Sequence, residues 1–146
     1  ENSMKNTKKK IMVFGTFDDL HKGHLDFFRQ ARKLSANPYL IVSVARDKNV
    51  LKIKGERPIL SEKERINLIK KNGLADKVIL AGVQNHIPHI LKEKPDVIAL
   101  GYDQSAYVEN LKEDLRKSGL VVKIVRLKPY KEHIYKNHLL KKKRLL

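Results

Sequence analysis

The feature that most constrains this chain is a repeated alternation. Short aliphatic runs are each followed by a longer stretch whose apolar residues recur at helical spacing. Ile11 to Phe14, Tyr39 to Ala45, Val78 to Leu80, Asp96 to Leu100 and Leu120 to Leu127 read as five strands. Runs rich in Ile, Val and Leu suit strands buried on both faces of a parallel sheet. Gly23 to Leu34 places Leu25, Phe28, Ala31 and Leu34 on one stripe of a helix, and Asn37-Pro38 stops it. Ser61-Glu62-Lys63-Glu64 is a capping box, with serine at the cap and glutamate three residues on. It opens a helix with Ile66, Leu68 and Ile69 on its core side and Gly73 as its stop. Asn85 caps a helix carrying Ile87, Ile90 and Leu91, with Pro88 tolerated in the first turn. Tyr107 to Ser118 forms a further helix, ending at Gly119.

Strands alternating with amphipathic helices predict an α/β fold: a Rossmann-like, doubly wound parallel five-stranded sheet with helices on both faces. The length suits one domain, expected over residues 4–146, with a basic C-terminal segment from about residue 131. Glu1 to Ser3, ahead of Met4, read as an appended remnant and are set aside.

The net charge of +16 predicts attraction to anions: nucleic acid, anionic membrane or phosphorylated small molecules. From Arg126 to Leu146 there are eight Lys or Arg and one acid, so nearly half of the excess lies there. No apolar run approaches the roughly 20 residues of a membrane helix, and the N-terminus lacks the apolar stretch of a secretory signal. The absence of cysteine excludes disulfides, thiolate zinc sites and cysteine nucleophiles. It fits a reducing compartment, and a cytoplasmic location is expected.

In a doubly wound sheet, ligands bind beyond the carboxyl ends of the strands. That selects Gly15 to His24, Ala45 to Pro58, Gly101 to Ser105 and the stretch after Leu127. The first segment is GTFDDLHKGH. Gly15 permits a tight turn at the strand end, and Gly23 lets a phosphate approach the backbone. His21 and His24 flank a helix start, where amide groups and the helix dipole favour anions. A zinc reading of the pair lacks a third ligand at suitable spacing, and no metal site is expected. Neither a P-loop nor a GxGxxG fingerprint is present.

GTFDDLHKGH resembles the signature of the nucleotidyltransferase superfamily that contains the cytidylyltransferases and small adenylyltransferases. VARDKNVLKIKGERPIL resembles the family's second-strand segment and the basic loop after it. DVIALGYDQ resembles the fourth-strand segment of archaeal-type FAD synthases, and VVKIVRLKPYKEHIYKNHLLKK stands where the family has its closing segment. The resemblance runs from about Lys10 to Lys143. It implies transfer of a nucleotidyl group from an NTP to a phosphorylated acceptor, with pyrophosphate released.

By the same resemblance, His21, His24, Lys54 and Arg126 are the catalytic residues. Gly15, Thr16, Phe17, Asp18, Gly23, Gly101, Tyr102, Asp103 and Gln104 bind the nucleotide. Lys52, Arg57, Lys136 and Asn137 bind phosphate. Asp18 has a second reading, as the former of an Asx-type turn. Mg²⁺ accompanies the nucleotide, ATP or CTP, held mainly by substrate phosphates and water. The family's closing motif offers Ser and Thr hydroxyls; here the matching stretch is Ile134-Tyr135-Lys136-Asn137-His138, with neither. The cysteine-rich tail of some archaeal FAD synthases is also missing.

GYDQ and ARDK favour an FMN adenylyltransferase-like enzyme. The alternatives are a CTP-dependent glycerol-3-phosphate cytidylyltransferase, a sugar-phosphate adenylyltransferase, and a non-catalytic polyanion-binding module. The expected partners are a nucleoside triphosphate and a phosphorylated small molecule, FMN or an alcohol phosphate. A homodimer is expected by analogy; membrane and nucleic acid are not expected partners. With only five Tyr and four Phe in the chain, a stacking platform for nucleic acid is not expected.

Overall fold

The computed structural model describes residues 7–82, 86–104 and 108–130. Five strands are formed by Lys9–Gly15 (β1), Pro38–Val44 (β2), Lys77–Leu80 (β3), Val97–Leu100 (β4) and Lys123–Arg126 (β5). Five helices are formed by Lys22–Arg32 (α1), Asp47–Lys54 (α2), Glu62–Asn72 (α3), Ile87–Glu93 (α4) and Val108–Lys117 (α5). All strand pairings are parallel, in the order β3-β2-β1-β4-β5. This is the Rossmann-like α/β sheet that the alternation predicts. Chain order reverses between β1 and β4, where Ile11 pairs with Val97 and Met12 with Ile98. A crevice at such a reversal is where doubly wound sheets hold ligands.

Successive side chains of a strand point to opposite faces, and β1 feeds two cores. Ile11 and Val13 join Leu40, Val42 and Val44 beneath Phe28 and Ala31 of α1 and Ile69 of α3. Met12 joins Ile41, Ile98 and Leu100 beneath Ile90 of α4 and Leu111 and Leu115 of α5. Helices thus cover both faces, and the central strands β1, β2 and β4 carry the buried residues.

Several boundaries differ from those expected. The segment after β2, expected as a basic loop, contains α2. It carries Asp47 in its first turn and Lys52 and Lys54 in its last, as the helix dipole favours, and Gly55 closes it in the left-handed conformation. Its one buried residue is Val50, so no apolar stripe announces it. α1 ends at Arg32, leaving Leu34 exposed. Pro38 opens β2, a position that needs no amide donor. Ser61 and Glu64 form the expected capping box of α3, and Gly73 ends it with φ +85°. On that helix Ile69 is buried as expected, Leu68 is exposed, and the second fully buried residue is Arg65. The cap position of α4 belongs to His86 instead of Asn85, which lies outside the described residues. β5 is shorter than expected, beginning at Lys123.

Candidate active site

The histidine pair is built by the start of α1. His21 is its N-cap, and His21 Nδ1 accepts the Gly23 amide at 3.0 Å. His24 Nδ1 in turn accepts the His21 amide at 3.3 Å. The imidazoles therefore act as a reciprocal capping box, a role usually taken by Ser and Glu. Their rings stack with centroids 3.8 Å apart. An imidazole that accepts through Nδ1 carries its proton on Nε2. Two N–H donors are thus carried side by side at a helix N-terminus, where anions are favoured.

Phe17 is buried, and its ring packs edge-on to His24 at 5.3 Å and against Phe27 and Phe28. Its φ is +52°, rare for a bulky residue. The space it takes explains Gly15: a Cβ there would stand 2.5 Å from Phe17 Cζ. Within this structure Phe17 and Gly15 support the histidines from beneath.

Asp18 ties the histidine loop to the segment before α3. Its carboxylate accepts the amides of Ile59 at 2.7 Å and Leu60 at 2.8 Å. Burial by itself raises the pKa of Asp18. The Leu60 and Ile59 amides and the charges of Arg65 and Lys54 outweigh it, so the carboxyl is held below its ordinary value. Lys54, in the last turn of α2, is exposed. Lys52 and Arg57, from the same stretch, are exposed.

Arg65 is the buried hub of this side. Its guanidinium donates to Thr16 O at 2.7 Å and Leu60 O at 3.2 Å, and pairs with Asp47 Oδ1 at 2.7 Å. Asp47 and Glu62 also exchange bonds, each carboxylate accepting the other's amide. Sequence reasoning missed all three residues. A charged residue on an amphipathic helix reads as solvated, and only the lack of an apolar partner at position 65 of the stripe hinted otherwise.

Across the crevice, Gln104 joins the ends of β1 and β4. Its Nε2 donates to Phe14 O at 2.7 Å, while its Oε1 accepts the Gly101 amide at 2.9 Å. Arg126 Nη1 collects the carbonyls of Gly101 at 2.8 Å and Gln104 at 3.0 Å, with Tyr102 at 3.4 Å. Arg126 itself is exposed, so its charge stands at the rim while one nitrogen holds the loop. Asp103 is exposed and Tyr102 partly so; burial and the Asp103 charge raise the Tyr102 hydroxyl pKa.

The structure thus brings together Gly15, Thr16, Phe17, Asp18, His21, Gly23 and His24, while Lys54 ends the neighbouring helix α2. It sets Gly101, Tyr102, Asp103, Gln104 and Arg126 at the ends of the neighbouring strands β4 and β5. Ser105, Lys136 and Asn137 lie outside the described residues. A cavity of about 270 Å³ lies elsewhere, at the amino ends of β1, β2 and β3, lined by Lys8, Lys10 and Lys77 with Glu93.

Residues 12–142 match the cytidylyltransferase-like family. The chain is similar to the FAD synthase of Korarchaeum cryptofilum, 47% identical over 82% of this chain and 81% of the relative. It is also similar to the FAD synthase of Methanosarcina barkeri, 42% identical over 84% and 86% respectively. Among solved structures, a lipopolysaccharide core biosynthesis protein of Thermoplasma volcanium superposes with a TM-score of 0.77 at 36% identity, covering 84% of this chain and 98% of that one. A protein of unknown function from Archaeoglobus fulgidus, 17% identical with a TM-score of 0.65, shares the fold. The fold with its reversal crevice, the histidine-capped helix at that crevice and these relatives together establish that the chain is a nucleotidyltransferase and belongs to the cytidylyltransferase-like family.

Proposed function

We propose that this enzyme transfers the AMP moiety of ATP to FMN, forming FAD and releasing pyrophosphate. The observation that carries the reading is the stacked His21–His24 pair at the crevice, in a chain 47% identical to a FAD synthase. A phosphate oxygen of FMN attacks the α-phosphorus of ATP in line. The new oxygen–phosphorus bond forms as the bond from the α-phosphorus to the bridging oxygen breaks, and that oxygen leaves with pyrophosphate. The protein's work is positioning and charge stabilisation. In this reading the Nε2–H groups of His21 and His24 donate to phosphate oxygens whose charge grows in the transition state. The amide of Gly23 donates to His21 Nδ1, so Gly23 serves by holding that ring. Lys54, with Lys52 and Arg57, supplies cations for the phosphates of donor and acceptor. Arg126 holds the 101–104 loop and sets its charge toward the β and γ phosphates. Tyr102 and Asp103 are assigned to the base and ribose, with Gln104 fixing the loop that presents them.

Mg²⁺ belongs to the reading as a companion of ATP. Among the described residues no group of three His, Asp or Glu could hold a metal ion, and Asp18 has both oxygens on backbone amides. In this reading the ion is held chiefly by phosphate oxygens and water, as Mg²⁺ commonly is. A homodimer and a cytoplasmic location are part of the same proposal. Among the described residues no helix is long and apolar enough to cross a membrane. The cytidylyltransferase and polyanion-binding alternatives are not favoured by the FAD synthase relatives.

The test is pyrophosphate release from a panel of ATP, CTP, GTP and UTP against FMN, glycerol 3-phosphate and a sugar phosphate. Selective release with ATP plus FMN supports the reading. Release with CTP plus glycerol 3-phosphate, and none with ATP plus FMN, refutes it.

A further inference from the structure

We propose that Ile53 and Ile59 form the seat of the flavin ring system of the acceptor, an inference that rests on the FMN reading above. Ile59 is 90% exposed and Ile53 is 73% exposed. Single exposed apolar residues are ordinary on protein surfaces. These two are set apart by where they are held. The amide of Ile59 is fixed on Asp18 Oδ2 at 2.7 Å, and Asp18 stands three residues before His21. Ile53 precedes Lys54, whose charge acts on that same Asp18 carboxyl. Ile59 thus adjoins this carboxylate at the edge of the histidine loop, and Ile53 stands in the last turn of α2, six residues before Ile59.

The loop is also held firmly. Leu60 is fixed on the other Asp18 oxygen, and its carbonyl accepts from the buried Arg65. An aliphatic side chain held out in solvent by its fixed backbone contributes nothing to folding, because its apolar surface stays wet. It does suit a ligand, since a preformed apolar seat lowers the ordering cost of binding.

The chemistry of the acceptor matches the sequence of groups along this edge. FMN carries a phosphate at one end of a polyol chain and a broad, flat ring system at the other. Its phosphate must reach the α-phosphorus near His21 and His24, so its ring must rest some distance away. Here the exposed cations Lys52, Lys54 and Arg57 are interleaved with the exposed Ile53 and Ile59. Cations suit the phosphate and aliphatic side chains suit the ring. A small alcohol phosphate has no apolar part and would draw nothing from the two isoleucines.

The experiment compares wild type with Ile53→Asn, Ile59→Asn and the double variant. The readouts are KM for FMN and KM for ATP, with sedimentation and thermal unfolding on the same samples. Losing apolar contact from two isoleucines is expected to raise the double variant's KM for FMN about tenfold or more. The KM for ATP is expected to move less than about twofold, and Ile59→Phe is expected to retain FMN affinity. A double variant whose KM for FMN stays at the wild-type value overturns the seat while leaving the adenylyltransferase reading standing. A wild type that makes no FAD from ATP and FMN refutes that reading and the seat with it. A wild-type dimer that the double variant splits into monomers gives the isoleucines to a second copy of the chain, and overturns the proposal as well.

Discussion

The imidazoles of His21 and His24 stack with their planes 20° apart and their centroids 3.8 Å apart. Each is oriented by a backbone amide on Nδ1, so the two Nε2–H donors are fixed before any substrate arrives. Preorganisation of this kind makes a hydrogen bond effective against transition-state charge. His24→Ala is expected to lower kcat by about two to three orders of magnitude, the usual effect of losing one such donor. His21→Asn keeps a good helix cap while removing the imidazole. It should retain the wild-type unfolding midpoint and lose activity as His24→Ala does. His21→Ala should lose activity and also about 1 kcal/mol of stability with the cap. Steady-state kinetics beside thermal unfolding separate the two effects.

Gly15→Ala tests the support beneath the pair. The new Cβ would stand 2.5 Å from Phe17 Cζ, so the Phe17 ring must shift, and with it the contact to His24. Overpacking of this sort costs about 1–3 kcal/mol. Urea denaturation should show that loss, with reduced kcat at saturating ATP and FMN. A stable, fully active variant would show that Phe17 does not position His24.

Arg65→Met is expected to cost about 2–4 kcal/mol, because the half-buried Asp47 loses its charge partner and the backbone carbonyls of Thr16 and Leu60 lose a donor. Equilibrium unfolding in urea measures the effect. Asp47→Asn, which keeps a hydrogen-bonding oxygen, should cost less.

The pH dependence follows from α4. Burial lowers the pKa of His86. Burial also lowers that of His89, with the neighbouring His86, Lys92 and Arg46 adding to it and Glu93 opposing. His89 Nε2 meets the buried Ser43 Oγ at 2.7 Å. A folded-state pKa below the unfolded value means that the unfolded chain binds more protons. The stability contributed by neutral His86 and His89 is therefore complete above their unfolded pKa. It falls as pH drops from there toward their folded values. Melting temperature should decline through that window, and His89→Gln should flatten the decline.

The sheet, its parallel character and the placement of the histidine loop were legible because burial on two faces leaves strands almost continuously apolar, and because Ser61, Glu64 and Gly73 carry strong local signals. α2 was not legible, since it buries one residue and its Lys52 and Lys54 read as loop. Arg65 was hidden for the opposite reason. It lies on a helix at a position where charge means solvent, and its three acceptors come from residues 5, 18 and 49 positions away. The grip of Arg126 on Gly101 and Gln104, and that of Gln104 on Phe14, are likewise long-range contacts that local pattern does not encode. Lys136 and Asn137, expected at the phosphates, lie outside the described residues, so their assignment stays a proposal.

The most direct test of nucleotidyl transfer to FMN follows phosphorus itself. The enzyme is incubated with FMN, Mg²⁺ and ATP radiolabelled either at the α-phosphorus or at the γ-phosphorus, and the products are separated by chromatography. Adenylyl transfer predicts that the α label appears in FAD and the γ label in pyrophosphate. Recovery of the γ label on the flavin, or of the α label only in AMP or ADP, would contradict it.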